Sequence, residues 1–391
     1  MISHKVLLGI AAFTDEMINI RHQIHRHPEL GYEEFQTSQL VASLLEKWGY
    51  KVTRGLAKTG IVGQLKNGEG PTIGLRADMD ALPLTENTNL PYASEITGKM
   101  HACGHDGHTT TLLTAARYLA ENRNFQGTIN VIFQPAEEGH AGAEKMIQDG
   151  LFEQFPCDAI FGFHNWPGFE AGHFAFHSGP SMASADTVKV TIHGKGGHGA
   201  IPHLSVDPVV VASSIIMALQ TIVARNVNPL ETTIITAGTI HAGTVSNIIP
   251  DEAHMELTVR NLNPEIQDLV EQRIKDTIEF QAKSYGATAK VEYIRVYPLL
   301  DNSARETAFA EAVGREFLGD DYIIQNFKPI TASEDFAFML QKAPGCYVFV
   351  GNGLEGTHGC SLHNPNYDFN DEILPVVASY WVKLVEAYLK P

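Results

Sequence analysis

Nine consecutive residues, Met100-His101-Ala102-Cys103-Gly104-His105-Asp106-Gly107-His108, bring three imidazoles and a thiol into one short stretch. A thiolate and a neutral imidazole two positions apart, with Gly104 between them to let the backbone bend, suit a borderline-soft divalent ion such as zinc, manganese, cobalt or nickel. Other reactive side chains stand elsewhere in the chain: Asp78 and Asp80, the pair Glu137 and Glu138 in Gln134-Pro135-Ala136-Glu137-Glu138-Gly139, His164, and His363 in Gly359-Cys360-Ser361-Leu362-His363. Each has a plainer reading when taken alone. A free cysteine packs as a small apolar residue, an acidic pair suits the first turn of a helix, and aspartates two apart after a strand either turn the chain or serve a site.

The elements that position these residues favour chemistry. Lys51 to Thr53, Ile61 to Leu65, Thr72 to Arg76, Thr128 to Phe133 and Ala159 to Phe163 read as strands, and Glu33 to Trp48, Gly107 to Asn122 and Gly139 to Asp149 as helices. This βαβ alternation predicts an open, mostly parallel sheet flanked by helices, in which ligands bind beyond the carboxyl ends of the strands. Asp78 and Asp80, Glu137 and Glu138, and His164 each follow such an end, and Cys103 and His105 precede a helix on the same rim. Four reactive clusters at one sheet edge are poorly explained as four separate helix starts and turns. The two adjacent glutamates can serve one site only if the chain leaves the strand there, because neighbours in an extended strand point opposite ways; Gly139 permits that.

A second pattern begins near Ala185. Val188, Val190 and Ile192 alternate as a strand, a helix runs from Asp207 to about Ala224, strands follow at Thr233 to Ile240 and Ala253 to Val259, then a helix carrying Ile266, Leu269, Val270, Ile274 and Ile278, then a strand at Ala289 to Val296. The order βαββαβ is that of a ferredoxin-like α+β sandwich. The expected organisation is therefore a catalytic α/β domain in two parts, 1–184 and 298–391, with residues 185–297 inserted between them. Gly194-Lys195-Gly196-Gly197-His198-Gly199 matches a dinucleotide-binding fingerprint, but Pro202 and Pro208 keep the following chain from opening a helix and no acidic residue follows about 20 positions on. A mobile glycine turn presenting His198 is the better expectation.

A length of 391 residues calls for about two domains. The formal charge of −17 argues against a nucleic-acid or anionic-membrane partner, since no basic run offsets it. Val6, Ile10, Phe13, Met17, Ile20 and Ile24 recur at helical spacing and are followed by acidic residues, which reads as an amphipathic helix rather than a secretory leader. The apolar stretch from Pro208 to Ala224 carries Ser213, Ser214, Gln220 and Thr221, which suits a core or interface helix. Four cysteines without a CxxC pair fit a reducing compartment, the cytoplasm by default.

Taken together, the runs His25 to Leu30, Arg76 to Pro83, Met100 to His108, Gln134 to Gly139, His164 to Pro167, Ser246 to Pro250 and Leu362 to Pro365 resemble the amidohydrolase branch of the dinuclear metallo-aminoacylase and carboxypeptidase family. That branch includes hippurate hydrolases, N-acyl-amino-acid deacylases and plant auxin-conjugate hydrolases. The resemblance covers nearly the whole chain. It implies Cys103, His105, Glu138, His164 and His363 as ligands of two divalent ions, Glu137 as general base, and Asp80 as the carboxylate steadying a ligand. It also places an Asp, Asp78, where other members have a metal-binding histidine. The implied reaction is hydrolysis of an N-acyl amino acid to a carboxylic acid and a free amino acid. A carboxypeptidase or dipeptidase with the same centre, or a non-catalytic metal-binding protein, is the alternative. From the inserted domain, Arg260 is expected to bind the substrate carboxylate and Asn247 to bind substrate as an amide donor, while His198 reaches the developing oxyanion. That domain is expected to close as a lid and to mediate homodimerisation.

Overall fold

The computed structural model describes residues 5–390 and divides the chain into two compact units. One takes in the residues up to Gly179, Asp301–Lys328 and those from Asp335 onward; the other takes in Pro180–Leu300 and Pro329–Glu334.

The first unit is built on an eight-stranded sheet in the order Lys51–Leu56, Gly60–Asn67, Gly127–Gln134, Thr72–Asp78, Ala159–Pro167, Gly345–Gly353, Phe174–Ala175, Ile323–Ile324. Its four middle strands are mutually parallel, and antiparallel strands lie outside them. This is the mostly parallel sheet that the βαβ reading anticipates. Alternation along the middle strands sends Ile73, Leu75, Ala77, Ile129, Val131, Phe133, Phe161 and Phe163 into one large core, shared with Leu112, Leu113, Ala116 and Leu119 of the helix His105–Asn122 and Val377, Trp381 and Leu384 of the helix Leu374–Tyr388. Fully burying one such side chain contributes roughly 1.5–3 kcal/mol, so the core fixes the position of the helix that begins at His105. The amino-terminal amphipathic stretch forms two helices rather than one, Leu8–Ala11 and Thr14–Arg26, with Ile10, Phe13, Met17 and Ile24 buried.

The second unit carries a four-stranded antiparallel sheet in the order Thr233–Ala242, Glu252–Asn261, Ala185–His193, Thr288–Tyr297, with the helices Pro208–Thr221 and Pro264–Ser284 packed on it. Val188, Val190, Ile192, Met255, Leu257 and Val259 meet Val211, Ile215, Leu219, Val270, Ile274 and Ile278 in its core. Pro208–Asn226 is the one stretch of helix among the described residues that is long and apolar enough to cross a membrane. Its inward face belongs to this core, while Val210 and Met217 are exposed.

The glycine-rich segment, expected to be a turn, carries a short strand at Gly197–His198. Gly197 and His198 pair antiparallel with Ile249 and Ile248, and Lys195 bridges Val206. Its glycines answer to close approach: a Cβ on Gly194 would stand 2.2 Å from the Val206 carbonyl, and one on Gly197 2.2 Å from Ser205 Oγ.

Candidate metal centre and active site

The carboxyl ends of the Thr72–Asp78, Gly127–Gln134 and Ala159–Pro167 strands deliver the reactive residues, and three local features aim them. First, the helix His105–Asn122 starts at Gly104, whose φ of 91° is left-handed and whose absent Cβ leaves room for Asn165 Oδ1 at 2.4 Å and the Tyr367 hydroxyl at 2.6 Å. No other residue fits there, so Cys103 and His105 are brought onto one side of the bend. Second, the chain leaves the Gly127–Gln134 strand through Ala136, at φ 57° and ψ 43°. That left-handed alanine, ahead of Gly139, breaks the strand alternation and lets Glu137 and Glu138 serve one place. Third, His363 itself is left-handed at φ 62°, and its amide donates to the Ala102 carbonyl at 2.8 Å, tying its loop to the Cys103 loop. Strained non-glycine backbone of this kind is held where the surroundings over-determine it.

The result is a set of overlapping triads whose donor atoms lie within 4.8 Å of one another: Cys103, His105 and His164; Cys103, Glu138 and His363; His105, Glu137 and Glu138. Cys103 Sγ is 3.4 Å from His164 Nε2, and His363 Nε2 is 3.1 Å from Glu138 Oε1. Tautomers are set by the neighbours. His164 Nδ1 lies 2.7 Å from the Asn165 carbonyl, which can only accept, so the lone pair is on Nε2, facing the thiol. Burial, with His108 adding to it, holds this ring well below the usual histidine range, and it stays neutral. Asp80 Oδ1 takes His105 Nδ1 at 3.2 Å and its Oδ2 accepts the Glu138 amide at 2.9 Å, so one carboxylate orients an imidazole and the glutamate turn together.

These donors fit a cation. His105 Nε2 is buried with no hydrogen-bond partner. Burial works against charging His105, but Asp78 and Asp80 outweigh it and raise the ring to about 10. Burial also pushes the Cys103 thiol well up, and Glu138, Glu137 and Asp78 push it further. A thiol and several carboxylates this close demand positive charge, and a divalent ion supplies it while making the thiolate accessible.

Asp78 is spoken for. Its Oδ1 is 2.6 Å from His108 Nδ1 and its Oδ2 accepts from Arg76 at 2.8 Å, whereas His105 Nε2 is 3.7 Å away. Arg76 is fully buried and also donates to Gln134 at 2.8 Å and Asp335 at 3.1 Å. Removing Arg76 would take the cation from two buried carboxylates, leaving Asp78 to His108 and Asp335 to Gln134 and the Ala143 amide. The sequence reading counted His108 among the donors of the opening stretch, but its Nε2 is committed to Asn165 Oδ1 at 2.7 Å, so it supports Asp78 and Asn165. Arg76, Gln134 and Asp335 were missed as one network. The available signal was an arginine inside an apolar strand buried on both faces, which must be paired.

In the second unit, His198 is exposed, with Nδ1 accepting from the Ala200 amide at 3.0 Å. Asn247 is exposed beside it, its carbonyl accepting from Gly199 at 2.8 Å. Arg260 lies on the strand Glu252–Asn261, half-buried, with one donor on the Val259 carbonyl at 3.1 Å and no carboxylate partner among the described residues.

A buried thiol, imidazole and carboxylate donor set at the carboxyl edge of a parallel sheet, with a further carboxylate beside it, defines a metal-dependent hydrolase. Residues 74–387 match the sequence profile of Peptidase family M20/M25/M40, and the chain belongs to that family. It is 46% identical over 376 residues to a hippurate hydrolase of Campylobacter jejuni, covering 96% of this chain and 97% of that one. It is 40% identical over 377 residues to an N-acetyl-L-cysteine deacetylase of Bacillus subtilis, covering 96% and 88%. A crystal structure of a Bacillus subtilis dinuclear metal-binding peptidase of the M20 family superposes with a TM-score of 0.84 at 34% identity, covering 97% of this chain and 99% of that one. The protein is a metal-dependent amidohydrolase.

Proposed function

We propose that the protein hydrolyses the amide bond of N-acyl amino acids of the N-acetyl or N-benzoyl type, with two divalent ions held by Cys103, His105, Glu138, His164 and His363 and with Glu137 as general base. The observation that carries this reading is the surplus carboxylate. Glu137 lies within 4.8 Å of the His105 and Glu138 donor atoms, and metal storage has no use for it. When bound, the ions polarise the amide carbonyl and acidify water. Glu137 accepts the proton of the attacking water and returns it to the departing nitrogen, so the released amino acid leaves as a neutral amine. Asp80 holds His105 and the glutamate turn in register. Arg260 binds the substrate carboxylate, for which a half-buried guanidinium without an ion-pair partner is suited, Asn247 binds substrate as an amide donor, and His198 stabilises the oxyanion. The unit that carries them acts as a lid and as the homodimer contact. Four free cysteines are consistent with work in a reducing cytoplasm.

The deciding experiment is a product-release assay on protein reconstituted in turn with zinc, manganese, cobalt and nickel, using N-acetyl-amino acids, N-benzoyl-amino acids and dipeptides. Turnover of the acyl substrates above the dipeptides is expected. Faster release from dipeptides would make the protein a peptidase.

A further inference from the structure

One buried carboxylate has no part in the donor set. Glu34 is fully buried, its Oε1 accepts the Ala136 amide at 2.9 Å, and its Oε2 accepts the Thr59 hydroxyl at 2.6 Å. Ala136 is the left-handed residue on which the chain turns out of its strand toward Glu137 and Glu138. The same short segment meets that turn in two further places. Gly31 packs so close that a Cβ on it would stand 3.1 Å from Ala136 Cα and 3.0 Å from His140 Cδ2, and the Tyr32 hydroxyl donates to the His140 carbonyl at 2.9 Å. Its other end is bridged to the Asp80 loop, where the Ala81 amide donates to the Glu29 carbonyl at 2.8 Å and Leu30 pairs with Ala81.

We propose that Glu34 is a positioning residue for the hydrolytic reaction: by accepting the Ala136 amide it holds the left-handed turn that sets Glu137 in reach of the attacking water. This rests on the reading of Glu137 as base. A non-glycine residue in the left-handed region is disfavoured unless something holds it, and the Glu34 acceptor and the Gly31 contact close on the turn from one segment. Burial lifts the Glu34 carboxyl to about 7, with Asp80 adding to it.

The experiment compares Glu34→Leu, Glu34→Gln and Gly31→Ala with the parent enzyme. It reads kcat and KM, metal content by elemental analysis, and amide exchange of residues 134–142 by mass spectrometry. Glu34→Leu should lower kcat about 10- to 100-fold, the scale of a misplacement near 1 Å. KM should stay within about twofold, metal content should be unchanged, and exchange at Ala136 should be faster. Glu34→Gln keeps an acceptor oxygen and should restore both exchange and kcat to within about threefold of the parent. Gly31→Ala, pressing on the turn from the other contact, should show the same loss in kcat alone. Parent-like kcat in Glu34→Leu, or metal lost in step with activity, overturns the proposal. If Glu34→Leu does not fold, an undiminished kcat in Gly31→Ala overturns it. Glu137→Gln run alongside separates the two readings. An active Glu137→Gln removes the base assignment and this inference with it, whereas an inactive one beside a fully active Glu34→Leu removes this inference only.

Discussion

His105 and His198 are both imidazoles assigned to the reaction, yet they live under opposite conditions. His105 is fully buried, its Nδ1 is held by Asp80, and its ring lies among carboxylates that decide its charge. His198 is exposed and answers to a single backbone amide two residues away. The same contrast separates Arg76, buried and engaged by Asp78, Gln134 and Asp335, from Arg260, half-buried with Asp186 near it but no carboxylate at ion-pair distance among the described residues. Around the donor set the first unit engages its polar groups with one another; in the second unit Asp186, Gln267 and Tyr293, and likewise Arg295, Asp268 and Glu271, do the same, whereas His198, Asn247 and Arg260 make only backbone hydrogen bonds among the described residues. Preorganised groups should therefore fail completely when altered, and uncommitted ones by degrees.

The largest effect should come from Cys103→Ala. No neighbouring side chain replaces the thiolate, so metal and turnover should be lost together while the fold, with its core elsewhere, persists. Elemental analysis beside circular dichroism checks this, and full metal occupancy in the variant breaks the first half of the comparison. Glu137→Gln should keep metal and substrate binding but lose about 10²- to 10⁴-fold in kcat, the range of general acid–base catalysis; single-turnover assays read it. His198→Ala should leave metal content intact and reduce kcat by up to about 10²- to 10³-fold, as for loss of an oxyanion donor. A loss of metal in that variant would erase the distinction between the two regions. Asp80→Ala should weaken metal affinity about 10- to 100-fold through the freed His105 ring, measurable by competition with a chelator. Arg260→Ala should act least, lowering kcat/KM about tenfold or somewhat more for substrates with a free α-carboxylate and sparing their amides. An equal loss on both sets would mean that Arg260 supports structure rather than recognition.

Much of the site was legible because its signals are local. Cys103 and His105, two apart across a glycine, carry their chemistry in their spacing, and the strand pattern places Glu137 and Glu138 just past a strand end; His164, expected to close its strand, lies inside one that runs on to Pro167. What misled was equally local. The run from Gly194 to Gly199 looked like a free turn, because sequence records that glycines are present but not whether they serve rotation or close approach; here the Val206 carbonyl and Ser205 fill the space a side chain would need.

Sequence by itself determined the mostly parallel sheet and the βαββαβ pattern, since periodicity is a property of short stretches, whereas the ligand set came from the family resemblance. Only the tertiary structure decided which of those residues are committed elsewhere. That Arg76 and His108 occupy Asp78, that Asn165 fixes His164 and receives His108, and that Glu34 holds the Ala136 turn are contacts across separations of up to 102 residues, apart from the near neighbours Arg76–Asp78 and His164–Asn165. A carboxylate becomes a ligand, an orienting group or a buttress according to which donors surround it once the chain is closed, and that is settled by packing, which no local pattern encodes.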